Sequence, residues 1–237
     1  MHDLRNLYVW ANACVACHQN LAPEILKAGH PDLFFELDGQ SVAQPKHWQD
    51  EEPWSGVREW LTGQAVALRE MSWALSNYSE EDSFSIARWN GLVWLCATVS
   101  AATHMTSPVT SPPAALGKSD FANTQTQADA LARRASVSTW DDNSVRSLLV
   151  ALASTDSEFT INSASSASVA QRAKRLVLAC DRLSNGLVRN RGVPLKTESD
   201  LNQLFADVKT LDPFDATTFA SHLRAFRSAL ERGKNPN

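Results

Sequence analysis

The chain of 237 residues has only nine glycines, ten prolines and four cysteines. So little glycine and proline excludes a collagen-like or linker-like chain. Four cysteines are too few for a disulfide scaffold. Three of them, Cys14, Cys96 and Cys180, fall inside apolar helical patterns, as buried cysteines in a reducing compartment do. The net charge is a mild −4, so the composition is that of an ordinary globular protein.

Long hydrophobic runs are also missing. The longest apolar stretch, residues 91–105, is interrupted by Thr98, Ser100 and Thr103. It falls short of the roughly 20 residues that a membrane span needs. The N-terminal residues lack the basic and apolar regions of a secretory signal. The sequence therefore predicts a soluble, cytoplasmic protein with no membrane partner.

Signatures of common enzymes do not occur. There is no glycine-rich nucleotide loop, nucleophile elbow or paired-histidine zinc motif. His104 is the best single candidate for a general base, although a lone histidine beside an apolar face is more often structural. Asp141 and Asp142 lie in a predicted first helical turn, where capping and the helix dipole favour carboxylates. The sequence thus assigns no catalytic residue and no cofactor.

The chain does contain apolar residues at helical spacing. Six residues from Val169 to Leu187 repeat at intervals of four and three, which predicts a helix with one buried face. Similar patterns predict helices that begin near Pro53, Asp82 and Thr139. The sequence therefore predicts an all-α bundle of about seven to nine helices. At most one small β-hairpin is expected, near residues 33–43, where an Asp-Gly pair is a turn signal.

The proline-rich segment 106–120 is the best candidate boundary, because its three prolines end helical structure. An acidic, tryptophan-rich helical half, residues 1–105, precedes it. Residues 121–237 form the second helical half and include a basic helix over 169–191. We expect two helical subdomains joined by a Pro/Ser-rich linker. The serine- and threonine-rich segment 154–168 is predicted to be an exposed connection.

A short cysteine motif allows two metal interpretations. Cys14, Cys17 and His18 match the C-x-x-C-H pattern of c-type haem attachment. The two cysteines and His30 have the spacing of three zinc ligands, but no Cys or His stands near residues 34–36 to complete the site. Cys14 and His18 also lie on the apolar stripe of a first helix. A buried helix is therefore the favoured interpretation, and no metal is assigned.

A basic run stands out in this acidic chain. Between Gln171 and Lys196 there are seven basic residues and one acidic residue. Arg175, Arg182 and Arg189 are spaced by seven and form one ridge of a helix. The ridge is predicted to face outward because it lies opposite the apolar stripe, and a solvated helix face is its simplest explanation. Since guanidinium groups bind phosphate and carboxylate, the candidate partner- or phosphate-binding residues are Arg172, Arg175, Arg182, Arg189 and Arg191.

Tryptophan is concentrated in one part of the chain. Six of the eight tryptophans lie between residues 48 and 94. A tryptophan-rich helical core explains most of them. Trp60 and Trp73 flank the core stripe of their helix and are the candidates for an aromatic contact with a partner or a base.

These features favour a non-enzymatic interaction or assembly subunit that binds a protein partner or itself through helix faces. One alternative is a helical nucleoprotein- or coat-type subunit that contacts single-stranded nucleic acid backbone through the arginine ridge; its binding would depend on salt. The other is an enzyme or small-molecule binder with a cleft between helices. A deep cleft that holds His104 beside a carboxylate would favour that interpretation.

Overall fold

The structure is a computed structural model. Apart from the side chains of 16–18, it describes residues 5–19, 25, 28–29, 34, 36–38, 52–77, 83–105, 109–110, 116–160, 166–192 and 194–232. These residues form eight α-helices and one short 3-10 helix and contain no β-strand. The predicted all-α bundle is therefore confirmed. The hairpin allowed near residues 33–43 falls largely outside the described residues, of which Leu37 and Asp38 are helical.

The α-helices are α1 (Leu7–Gln19), α2 (Ser55–Asn77), α3 (Ser83–Ala102), α4 (Lys118–Ala135), α5 (Asp142–Ala153), α6 (Ser166–Arg191), α7 (Glu198–Asp207) and α8 (Ala216–Arg232). The 3-10 helix (Asp156–Phe159) lies between α5 and α6. None of the described helices is long and apolar enough to cross a membrane.

The chain divides into two compact units that alternate along the sequence. Unit 1 consists of residues 1–81 and 105–139, and unit 2 of residues 82–104 and 140–237. Unit 1 therefore contains α1, α2 and α4, and unit 2 contains the other helices. The division at residues 106–120 into two consecutive halves stays a prediction, and the units group the helices differently: α3 with the later helices and α4 with the earlier ones.

Unit 1 is built on the packing of α2 against α4, with α1 packed on α2. The core side of α2 contributes Leu61 and Leu68, and α4 contributes Phe121 and Leu131; all four are buried. Gly63 lets Leu37 approach α2 closely, because a Cβ atom at Gly63 would lie 2.8 Å from the Leu37 Cβ atom.

Unit 2 is centred on α6, which packs against α3, α5 and α7. The stripe from Val169 to Leu187 is buried, as its spacing predicts. Helix α3 approaches α6 at Gly91, where a Cβ atom would lie 3.2 Å from the backbone of Gln171. The C-terminal helix α8 packs on α7, on α5 and on the 3-10 helix.

Local signals mark the helix ends as expected. The Asp141 carboxylate accepts a hydrogen bond from the Ser144 backbone N–H at 2.7 Å and caps α5. This backbone bond lowers the pKa of Asp141. Helix α6 ends before Gly192, which has a positive φ of 68°. The Gly192 N–H donates to the Val188 carbonyl at 2.8 Å, a common way to close a helix.

Of the segment 154–168, which is predicted to be an exposed connection, the structure describes residues 154–160 and 166–168, and α6 begins at Ser166. Phe159 is buried, with its ring centroid 5.8 Å from that of Trp94 and 4.8 Å from that of Phe219. The Trp94 indole N–H donates to the Glu158 carboxylate at 2.6 Å. The predicted exposure is therefore wrong at Phe159, because its ring packs between two other aromatic rings.

Candidate functional site

All five candidate arginines lie on α6, but their surroundings change along the helix. Arg175 is only 1 % exposed. Arg172 and Arg182 are half-buried, whereas Arg189 and Arg191 are exposed. The prediction that the whole ridge faces outward is therefore wrong at Arg175.

The buried face of α6 is wider than its leucine stripe. Ala170, Val177 and Ser184 are buried as well as the stripe. Arg175 lies close enough to Cys96 of α3 for its charge to act on the thiol. Burial raises the pKa of Cys96 to about 12, and the Arg175 charge opposes that rise. Helix α3 packs against α6. Arg175, which the sequence pattern predicts to face solvent, is therefore buried on the side of α6 that faces other helices.

The two half-buried arginines have acidic neighbours in the same unit. Burial lowers the pKa of Arg172, and the nearby charge of Glu158 raises it. The Arg182 Nη1 atom lies 3.6 Å from the Asp181 Oδ2 atom. Burial raises the pKa of Asp181, and Arg182 opposes that rise. Part of the positive charge of the ridge is thus balanced inside unit 2.

The C-terminal end of α6 is the most open part of the ridge. The Arg191 Nε atom lies 3.2 Å from the Asp142 Oδ1 atom, and the Arg146 Nε atom lies 3.9 Å from the Asp142 Oδ2 atom. Arg189 is exposed and forms no ion pair with the residues that the structure describes. Basic residues in a last helical turn also interact favourably with the helix dipole. The exposed part of the predicted ridge is therefore the C-terminal end of α6 and not its whole length.

The two candidate tryptophans of α2 differ sharply in exposure. Trp60 is 0 % exposed, and Trp73 is 43 % exposed. Helix α2 is buried all round from Glu59 to Leu68 and only on one side near its C-terminus. Trp60 is thus a core residue, which corrects its selection as a contact residue, while Trp73 keeps the exposure that a contact requires.

The cysteine motif lies on α1 but is only partly described. Cys14 is half-buried. The Cys17 and His18 side chains and all of His30 lie outside the described residues. Within the described part of the chain, no group of three or more His, Cys, Asp and Glu residues could hold a metal ion.

His104 does not have the surroundings that a buried general base needs. It is exposed and adopts a positive φ of 51° just after α3 ends at Ala102. Its place is that of a helix-terminating residue. The sequence pattern predicts that His104 lies near an apolar face. In the structure its side chain is exposed to solvent instead.

The structure also brings together a polar cluster that sequence reasoning missed. The Tyr8 hydroxyl donates to Asp129 at 2.5 Å, and Arg69 donates to Asp129 at 2.8 Å. Arg133 donates to the other oxygen of Asp129 at 2.8 Å, and its guanidinium carbon lies 4.3 Å from the centroid of the Tyr8 ring. Arg69 also donates to Asn12. The cluster links α1, α2 and α4 of unit 1.

Electrostatics in this cluster favour the ionised carboxylate. Burial by itself would raise the pKa of Asp129, but hydrogen bonds from Tyr8, Arg69 and Arg133 lower it to about 2. The pKa of Tyr8 is raised, first by burial and then by its hydrogen bond to Asp129. No sequence signal could pair these residues, because 121 positions separate Tyr8 from Asp129.

A second missed pair lies in unit 2. The His222 Nδ1 atom of α8 lies 2.7 Å from the Asp207 Oδ2 atom at the end of α7. Asp156 is the first residue of the 3-10 helix, and its carboxylate oxygens lie 3.4 Å from the Arg224 Nη1 atom and 3.1 Å from the Arg227 Nη1 atom. These contacts join α8 to α7 and to the 3-10 helix. None of these residues was a candidate in the sequence analysis.

Of the features described above, Trp73 is an exposed tryptophan, the C-terminal end of α6 is exposed and basic, and the residues around Asp129 form a satisfied polar cluster. Of these, the cluster has its charges paired internally, which is the arrangement of a structural contact. Among the candidate contact residues predicted from the sequence, Trp73, Arg189 and Arg191 are the exposed ones. Comparisons with protein-family models, with curated proteins and with solved structures found no match to this chain.

Proposed function

We propose that this protein is a non-enzymatic interaction or assembly subunit that binds a protein partner or a second copy of itself through a helix face. The observation that carries the proposal is the exposure of Trp73, 43 % of whose surface is open to solvent. Tryptophan is among the residues most enriched at the energetic centres of protein interfaces. We therefore place the contact surface on the C-terminal end of α2.

The backbone around Trp73 is well held. The Ser76 hydroxyl and the Asn77 amide both donate to the Trp73 carbonyl, at 2.9 Å and 2.8 Å. A side chain on an ordered last turn loses less conformational freedom on binding than one on a loose segment. Burying the exposed part of the ring in an interface would contribute roughly 2 kcal/mol.

The nucleic-acid alternative has less support. The exposure of Arg189 and Arg191 is compatible with phosphate contacts, but Arg175 is buried and cannot reach a backbone phosphate from that position. A helix end with two arginines also has a simpler explanation in the helix dipole. We accordingly keep nucleic-acid binding as an outcome of the experiment.

The test is size-exclusion chromatography with light scattering over a range of protein concentrations, at low and high salt. The 260/280 nm absorbance ratio is recorded on the same peaks. We expect wild-type protein to self-associate and Trp73→Ala to weaken association by tenfold or more, since about 1.4 kcal/mol corresponds to a factor of ten. Phe84→Ala, at an aromatic residue that is 46 % exposed, is the matched control and should behave as wild type.

Two outcomes would overturn self-association through Trp73. One is a monomer at every concentration for wild type and variant alike. The other is equal weakening by Trp73→Ala and Phe84→Ala, which would indicate a general loss of surface hydrophobicity. Co-purifying nucleic acid that dissociates at high salt would instead favour the nucleoprotein alternative. Circular dichroism spectra of both variants establish that they fold.

A further inference from the structure

We draw no further inference here: the strongest candidate, the partly exposed apolar face of α1 formed by Leu7, Trp10 and Cys14, carries no proposal because nothing in the described residues shows what covers it.

Discussion

At the scale of single residues, one side-chain type has different roles at different positions of the same helix. Arg175 and Arg189 stand fourteen positions apart on one ridge of α6. Arg175 is buried, where its charge acts on Cys96, and Arg189 is exposed to solvent. A buried arginine stabilises the fold through the packing of its long stem as well as through its charge. An exposed arginine adds little to stability in either way.

Truncating these two arginines should therefore have very different effects. We expect Arg175→Ala to lower the free energy of unfolding by about 2–4 kcal/mol, through the lost stem and the disturbed charges around it. Arg189→Ala should change it by no more than about 0.5 kcal/mol. Urea unfolding followed by circular dichroism measures both values. Similar values for the two variants would contradict the burial of Arg175.

At the scale of helices, polar contacts help to hold α1 in unit 1. Tyr8 and Asn12 of α1 reach Arg69 of α2 and Asp129 of α4. Asp129 accepts hydrogen bonds from side chains of three helices. Because these bonds favour the ionised carboxylate, ionised Asp129 stabilises the folded state. This stabilisation of the folded state is present at pH values above the ordinary aspartate pKa of 3.8, and it is lost as the pH falls toward the lowered pKa of about 2.

Asp129→Asn should alter the response of stability to acid. The variant is expected to be less stable than wild type at pH 6, because the charged pairs with Arg69 and Arg133 are lost. The difference between the two proteins should shrink as the pH falls from about 4 to about 2, where wild-type Asp129 takes up its proton.

Urea midpoints at pH 6, 4, 3 and 2 measure this difference. Asp212→Asn, at an exposed residue of unit 2, is the control for general effects of removing a carboxylate. A difference between wild type and Asp129→Asn that stays constant over the whole pH range would refute the role assigned to Asp129.

Helix packing in unit 1 also depends on the absence of a side chain at Gly63. Replacing glycine by alanine inside a helix normally stabilises it by about 1 kcal/mol. At Gly63 the new Cβ atom would meet the Leu37 Cβ atom at 2.8 Å, and a buried neighbour has little room to move. We expect Gly63→Ala to destabilise the protein by about 1–3 kcal/mol.

Thermal or urea unfolding measures the effect of Gly63→Ala. The control is Asn123→Ala at an exposed position of α4, where the higher helix propensity of alanine should stabilise slightly. Stabilisation by both substitutions would mean that Leu37 does not pack against Gly63.

At the scale of the whole molecule, the order of helices along the chain differs from their grouping in space. Helix α4 follows α3 in sequence but belongs to unit 1, and α3 belongs to unit 2. A cut within residues 106–120 would therefore separate α4 from α1 and α2, and α3 from the helices that follow α4. Each fragment would expose a helix face that is normally covered.

Fragments test this grouping directly. We expect residues 1–105 and residues 121–237, expressed separately, to lack a cooperative unfolding transition. Residues 82–104 joined to residues 140–237 by a long flexible linker should unfold cooperatively, because that fragment keeps all the helices of unit 2. Circular dichroism thermal scans distinguish the cases. Cooperative unfolding of both simple halves would support the division that the proline-rich segment predicts.

Most helix positions could be predicted because helical spacing is a local property. The stripe from Val169 to Leu187, the Asp141 cap and the stop before Gly192 each depend on residues within a turn or two of each other. The exposure of Arg175, Trp60 and Trp73 could not be predicted in the same way. A helix covered on two sides and one covered on one side have similar apolar stripes.

The amino-acid sequence by itself determined the all-α class, the approximate number of helices and the Asp141 cap, because hydrogen bonds within helices and apolar periodicity act over a few residues. Only the tertiary structure decided which arginine is buried, which tryptophan remains exposed and which distant residues surround Asp129. Those features depend on which helices pack together. Packing is set by contacts between residues far apart in the chain, and no local pattern records them.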